Sequence, residues 1–173
     1  DSVFVEDVAV VLDDLAVITR PGASSRRAEA ASVARALTPY RGEMAVIESP
    51  GTLDGGDVLR VDCVLYVGRS TRTNKDGIQA LRSLVKPHGF RVRAVEVGSC
   101  LHLKSAATRV APRTLLVNRA WVDAGAFEDV EIVDVHPEEA GAANALRVGE
   151  TVLHASAYPR TRERLVEHGV VVK

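Results

Sequence analysis

VLRVDCVLYVGRSTRTNKDGIQALRSLVKPHGFRVRAVEV, residues 58–97, carries the pattern that decides the fold. Val58–Val61 and Val64–Val67 are two β runs separated only by Asp62 and Cys63, so they read as a hairpin. Asn74 then offers a short side chain able to accept from the free amides of a first helical turn. Ile78, Leu81 and Leu84 follow at helical spacing, and Pro87 and Gly89 end the helix. Arg91–Val97 returns as a strand. The unit is ββαβ.

The same order recurs on both sides of it. Upstream, Val8–Leu12 and Leu15–Thr19 flank the Asp13–Asp14 turn. A helical stretch over Arg26–Leu37 puts Ala28, Ala31, Val33, Ala34 and Leu37 on one face, and Met44–Ile47 closes the unit. Downstream, Thr108–Val110, Leu115–Asn118, a short segment at Ala124–Phe127 and Val130–Val135 make a weaker third copy. Ala145–Val148, Thr151–His154, the helical stretch Arg160–His168 and Val170–Val172 make a fourth. A doubly wound sheet would not place a hairpin in every unit. Repeated units with incomplete apolar faces must cover one another, and a ring of them leaves no open sheet edge. The expected fold is α/β, with residues 1–173 forming one domain of about four repeats. The chain opens at Asp1 without Met and stops on a β run at Lys173, so both ends read as truncated.

Composition narrows the function. With 46% hydrophobic and 26% charged residues and a net charge of −1, the chain has no general attraction for nucleic acid or anionic lipid. Runs such as Val8–Leu12 and Val170–Val172 are too short to cross a bilayer, and no charged-then-apolar leader opens the chain. Cys63 and Cys100 are too few for a disulfide scaffold and lie in no CxxC or Cys–His cluster suited to a metal, which favours a reducing cytoplasm and no metal.

Four polar constellations are left over by the repeat. In DSVFVED, residues 1–7, Asp1, Glu6 and Asp7 interleave with apolar residues, as in a solvated strand end or a pocket for a cation. Neighbours on a regular strand face opposite sides, so Glu6 and Asp7 share a site only where the strand ends or bends. In LDGGDVL, residues 53–59, Gly55 and Gly56 allow unusual dihedrals or close approach, with Asp54 and Asp57 on either side. An ordinary turn into a strand reads the same way. Arg72 in RSTRTN, and Arg26 beside Arg27, suit a carboxylate ligand or solvent equally. In CLHLKS, residues 100–105, His102 lies between Leu101 and Leu103, either as a structural histidine or as one whose apolar setting tunes its pKa. Cys100 reads as a small buried filler, with a strand face shared with His102 as the alternative.

Taken in order, DSVFVEDVAVV, ITRPGASSRR, LDGGDVL, VGRSTRTN and LHLKS resemble the successive motifs of the dimethylarginine dimethylaminohydrolases, guanidine-modifying enzymes of the pentein superfamily. The resemblance implies a five-bladed propeller of ββαβ units. It implies hydrolysis of an N-omega-methylated arginine to citrulline and an alkylamine through a cysteine thiouronium intermediate, with no cofactor and no metal. By position, it makes His102 the catalytic histidine and Asp54 its acidic partner. Asp1 falls where the substrate α-amino group binds, Glu6 and Asp7 at the guanidinium, and Arg26 and Arg72 at the substrate carboxylate. Phe4 falls beside the substrate head. The family nucleophile, a cysteine near the C-terminus, has no counterpart here, since neither Cys63 nor Cys100 occupies that motif. The resemblance also fits a cytoplasmic enzyme with a small-molecule substrate, and is compatible with a homodimer. Two rivals stand beside it: an arginine deiminase, and a non-catalytic propeller that binds arginine-like ligands or a protein.

Overall fold

Each of the four expected units folds as its own three-stranded sheet in a computed structural model that describes residues 4–173. In the second unit, β4 (Val58–Val61) and β5 (Val64–Arg69) pair antiparallel, with Val58 opposite Val67. The helix α2 (Lys75–Val85) then crosses over so that β6 (Arg91–Glu96) pairs parallel with β5. Asn74 caps α2 by accepting from the Gly77 amide at 2.8 Å. Ile78, Leu81 and Val85 are buried, whereas Leu84 is only half-covered, because Val85 continues the inward face one turn beyond Leu81.

The other units repeat this plan. β1 (Ala9–Val11), β2 (Leu15–Ile18) and β3 (Glu43–Val46) form the first, with α1 (Glu29–Leu37) as crossover. β7 (Ala107–Ala111), β8 (Thr114–Val117) and β9 (Glu131–Asp134) form the third, where a 3-10 turn at Ala124–Ala126 replaces the helix. β10 (Ala145–Val148), β11 (Thr151–His154), α4 (Pro159–Glu167) and β12 (Val171–Val172) form the fourth.

Two details differ from expectation. α1 starts at Glu29 rather than Arg26, since Ser24–Arg26 is a separate 3-10 turn. Its inward residues are Ala30, Val33, Ala34 and Leu37, all half-buried, while Ala28 and Ala31 face solvent. Alanine is permissive on either face, so the run of alanines blurred the position of the apolar stripe.

The apolar cores lie between units. One joins Leu15, Val17 and Ile47 of the first unit to Leu65, Val67 and Leu81 of the second. A second joins Leu59, Tyr66 and Val95 to Leu103, Leu115 and Phe127, and a third joins Val110 and Leu116 to Val152 and Leu165. Each sheet is thus completed by its neighbour, as expected of stacked repeats. The first strands lie side by side, β4 against β7 and β7 against β10. The segments entering those strands also pack on one another at one end: Val5–Val8 on Gly55–Asp57, and Gly55–Asp57 on Leu103–Ala106. That end carries the polar motifs. Among the described residues no helix is long and apolar enough to cross a membrane.

Candidate active site

The segment that enters the first hairpin resolves the neighbour problem posed by Glu6 and Asp7. Val5–Val8 is a 3-10 turn, so successive side chains are not forced to opposite faces, and both carboxylates line one cavity. Asp7 is buried. Its Oδ1 accepts from the Gly56 amide at 3.0 Å and its Oδ2 from Arg26 Nη1 at 2.6 Å. Glu6 is more exposed and pairs with Lys104 Nζ at 2.9 Å. Lys104 was not among the expected site residues, although it stands two positions after His102. A cation so near the histidine was its only sign in the sequence.

The LDGGDVL motif approaches from the opposite side. Neither of its glycines adopts positive φ, contrary to the expectation of unusual dihedrals. Their use is close approach. A Cβ on Gly55 would stand 1.9 Å from the Glu6 carbonyl oxygen, and one on Gly56 would meet Asp7 Oδ1 at 2.8 Å and the His102 ring at 3.0 Å. The pair lets Asp54 and Asp57 press against both other motifs. Asp54 Oδ1 accepts from the Gly22 amide at 2.9 Å, and its Oδ2 accepts from His102 Nε2 at 3.1 Å.

CLHLKS is a bend and one helical turn, not a strand, so Cys100 and His102 share no strand face, the alternative to a filler role for Cys100. His102 stands immediately before α3 (Leu103–Ala106). Leu103 is fully buried, but Leu101 is 51% exposed, so the imidazole is not held between two leucines. Its neighbours are acidic instead: Asp54, and Asp7 Oδ1 at 4.0 Å. Because Asp54 can only accept, Nε2 carries the proton of that bond.

The electrostatics follow from these contacts. Burial pulls the His102 pKa down, but the hydrogen bond to Asp54 and the charges of Asp57, Asp7 and Asp54 outweigh it, so it rises above the usual histidine value. Burial pushes Asp54 up, yet the His102 bond, the Gly22 amide and the charges of His102 and Arg72 leave it lower than an ordinary carboxyl. Cys100 is pushed up, by burial first and then by the Asp57 charge. Its thiol donates to the His102 carbonyl at 3.3 Å. It is therefore poorly suited to act as a thiolate nucleophile, and Cys63 is exposed outside the cavity.

The cavity is about 600 Å³ and is lined by Phe4, Glu6, Asp7, Arg26, Asp54, Arg72 and His102 among others. Every described site residue expected from the sequence therefore reaches one place; Asp1 lies outside the described residues. The two arginines differ. Arg26 is bound to Asp7 and to Glu29 Oε2 at 2.9 Å, and its Nη2 donates to the Phe4 carbonyl at 2.8 Å. The Arg72 guanidinium makes no hydrogen bond or ion pair among the described residues, although its charge acts on Asp54. Phe4 is 65% exposed and covers the rim. Asp7, Asp54 and His102 bring possible metal-ligand atoms within 4.8 Å of one another. The Gly56, Arg26, Gly22 and imidazole N–H donors already engage these carboxylates, so the donor set is built for hydrogen bonds and we assign it no metal.

No family model matches the chain. It is 45% identical over 169 residues to the N(G),N(G)-dimethylarginine dimethylaminohydrolase of Streptomyces coelicolor, covering 98% of this chain and 65% of that protein. It is 37% identical over 170 residues to the Pseudomonas aeruginosa protein of the same name, covering 98% and 67%. The solved structure of the Pseudomonas aeruginosa enzyme, a cysteine-to-serine mutant complexed with citrulline, superposes with a TM-score of 0.91 at 35% identity, covering 99% of this chain and 68% of that one. The chain belongs to the dimethylarginine dimethylaminohydrolase family. It spans about two thirds of the length of these relatives.

Proposed function

We propose that this chain forms most of a hydrolase that converts N-omega-methylated arginine to citrulline and an alkylamine. One observation carries the reading. The Asp54–His102 pair and Asp7 line a cavity that also holds the guanidinium of Arg72, which is unengaged among the described residues. An amino-acid ligand with a flat cationic head and an anionic tail matches that charge pattern.

In this reading, Asp7 and Asp54 orient the guanidinium, with Glu6 at the edge and Phe4 packed beside the head. Arg72 receives the substrate carboxylate directly. Arg26, bonded to Asp7, orients that carboxylate. Asp1 takes the α-amino group. A cysteine thiolate from outside residues 1–173 attacks the central guanidinium carbon. The C–N bond breaks as His102 gives a proton to the departing amine. A water molecule then attacks the thiouronium carbon, its proton passes to His102, and the C–S bond breaks to release citrulline. Holding the planar cation with its carbon turned toward the nucleophile is worth several kcal/mol in a site sheltered from water. No cofactor enters any step.

Five ββαβ units in one ring make up the proposed domain. Two features support the fifth: Val11 on β1, and Leu146, Val148 and Leu153 on β10 and β11, are exposed apolar residues on the first and fourth units. A fifth unit between those two would cover them. The decisive experiment supplies the full-length protein with dimethylarginine and separately with arginine. Release of dimethylamine, abolished by His102→Ala, supports the proposal; ammonia from arginine alone would make the protein a deiminase. Binding of arginine analogues without turnover would leave only a ligand-binding propeller.

A further inference from the structure

Asp57 lines neither large cavity, yet it is completely buried and three donors converge on its carboxylate. The Leu103 amide donates to Oδ1 at 2.9 Å, and the Ser70 and Thr73 hydroxyls donate to Oδ2 at 2.6 and 2.7 Å. No cationic side chain bonds to it among the described residues. A buried carboxylate without a cation is costly, and burial does push its pKa up despite those three bonds. Each of its partners is tied to a residue of the proposed site. Leu103 contributes the peptide N–H directly after His102. Thr73 Oγ1 accepts from the Asp54 amide at 3.1 Å. Ser70 Oγ accepts from the amides of Arg72 and Thr73 at 3.0 and 3.2 Å.

We infer that Asp57 is the positioning residue of this site, one buried anion that holds Asp54, His102 and the Arg72 loop in register. The inference rests on Asp54 and His102 being the working pair of the proposed reaction. The negative charge sets the direction of the network. Because both hydroxyls donate to Asp57, their lone pairs turn toward the backbone amides of Asp54, Arg72 and Thr73. An asparagine amide can satisfy the Leu103 amide or the two hydroxyls, but not all three, because its nitrogen only donates. A hydroxyl turned to accept from that nitrogen has less lone-pair capacity for the backbone amides it now holds.

The groups facing His102 also include this anion. Asp54, Asp57 and Asp7 all act on the imidazole, from the loop before β4 and the 3-10 turn before β1. Among the neighbouring cations, Arg26 is paired with Asp7 and Lys104 with Glu6, and the Arg72 charge acts on Asp54. Cys100, a further titratable neighbour, donates to the His102 carbonyl.

The test uses the full-length protein with Asp57→Asn, Thr73→Val, Thr73→Ser and Ser70→Ala. Readouts are kcat and KM for amine release and, independently of turnover, the NMR titration of the His102 ring. Asp57→Asn lowers kcat on the order of 100-fold, as misplacing reacting groups by about 1 Å does, and moves the His102 midpoint down. Thr73→Val lowers kcat and Thr73→Ser restores it. Ser70→Ala raises KM more than it lowers kcat, because it frees the Arg72 loop. If Asp57→Asn does not fold, the Thr73 pair decides the question: equal kcat in Val and Ser variants overturns the inference. A folded Asp57→Asn protein with lowered thermal stability but unchanged kcat and unchanged His102 midpoint also overturns it. Absence of amine release by the wild type would defeat the proposed reaction, while the His102 midpoint in Asp57→Asn still decides whether Asp57 controls the histidine.

Discussion

His102 Nε2 donates to Asp54 Oδ2 across 3.1 Å, and each group moves the other toward its charged form. The histidine pKa is raised above 6.5 and the aspartate pKa is lowered below 3.8. The linkage signs follow from those directions. The histidine's contribution to stability is complete below the unfolded value of 6.5 and is lost as pH rises through the higher folded value. The aspartate's contribution is present above 3.8 and is lost as pH falls through its lower folded value. The ion pair therefore holds from the acid side of 3.8 to the alkaline side of 6.5. If His102 protonates the leaving amine, kcat/KM should fall on the alkaline limb with a midpoint above 6.5. Asp54→Ala should move that midpoint down, since burial then acts with one less opposing carboxylate. A ring titration that stays in place after the substitution would contradict this account.

Gly56→Ala tests the packing of the motifs. Its Cβ would meet Asp7 Oδ1 at 2.8 Å and the imidazole at 3.0 Å. Asp7 Oδ1 is held by the Gly56 amide and the ring is anchored through its Nε2 on Asp54, so neither can yield cheaply. The expected cost is about 1–3 kcal/mol of stability by overpacking, with amine release lost because the displaced groups are the site itself. Gly89→Ala is the control. It meets open space but requires φ +80, so it should cost about 1–2 kcal/mol and leave KM unchanged. Thermal melts beside steady-state kinetics separate the two.

Arg72 should govern affinity. Its guanidinium has no hydrogen-bond partner among the described residues and lines the cavity, so its bonds form with ligand. A charge-assisted bond is worth about 1.5–3 kcal/mol, so Arg72→Ala should raise KM roughly 10- to 150-fold. The kcat should change much less, since the carboxylate tail is remote from the bond broken. Arg72→Lys should recover only part of the loss, because an ammonium cannot make the two-pronged contact. An equal fall in kcat for both variants would place Arg72 in the chemistry instead.

The hairpins and crossovers were legible in the sequence because each rests on local periodicity. β4 and β5 around Asp62–Cys63, and the Asn74 cap, needed nothing from the rest of the chain. The stripe of α1 was not legible, since alanines fit either face and the inward choice is made by what packs there. Asp54 and His102 stand 48 residues apart, so no local pattern pairs them, and only the order of motifs shared with a family brought them together. Even that order did not disclose what surrounds them. The neighbours of His102 in sequence are leucines, whereas its neighbours in space are Asp7, Asp54 and Asp57. The role of Asp57 was hidden for the same reason, because Ser70, Thr73 and Leu103 reach it from two other segments.

The two leucines beside the histidine give the last prediction. Leu103 is fully buried in the core shared by the second and third units, whereas Leu101 is 51% exposed at the cavity rim. Leu103→Ala removes buried methyl groups from a packed core and should cost about 2–5 kcal/mol. It also loosens the turn whose amide is anchored on Asp57, so kcat should fall even in the folded fraction. Leu101→Ala should stay within about 0.5 kcal/mol of wild type, as surface substitutions do, and can alter KM only through the rim. Denaturant melts decide the first pair of expectations and kinetics the second. Equal destabilisation by both substitutions would mean that Leu101 packs as tightly as Leu103, contrary to its exposure.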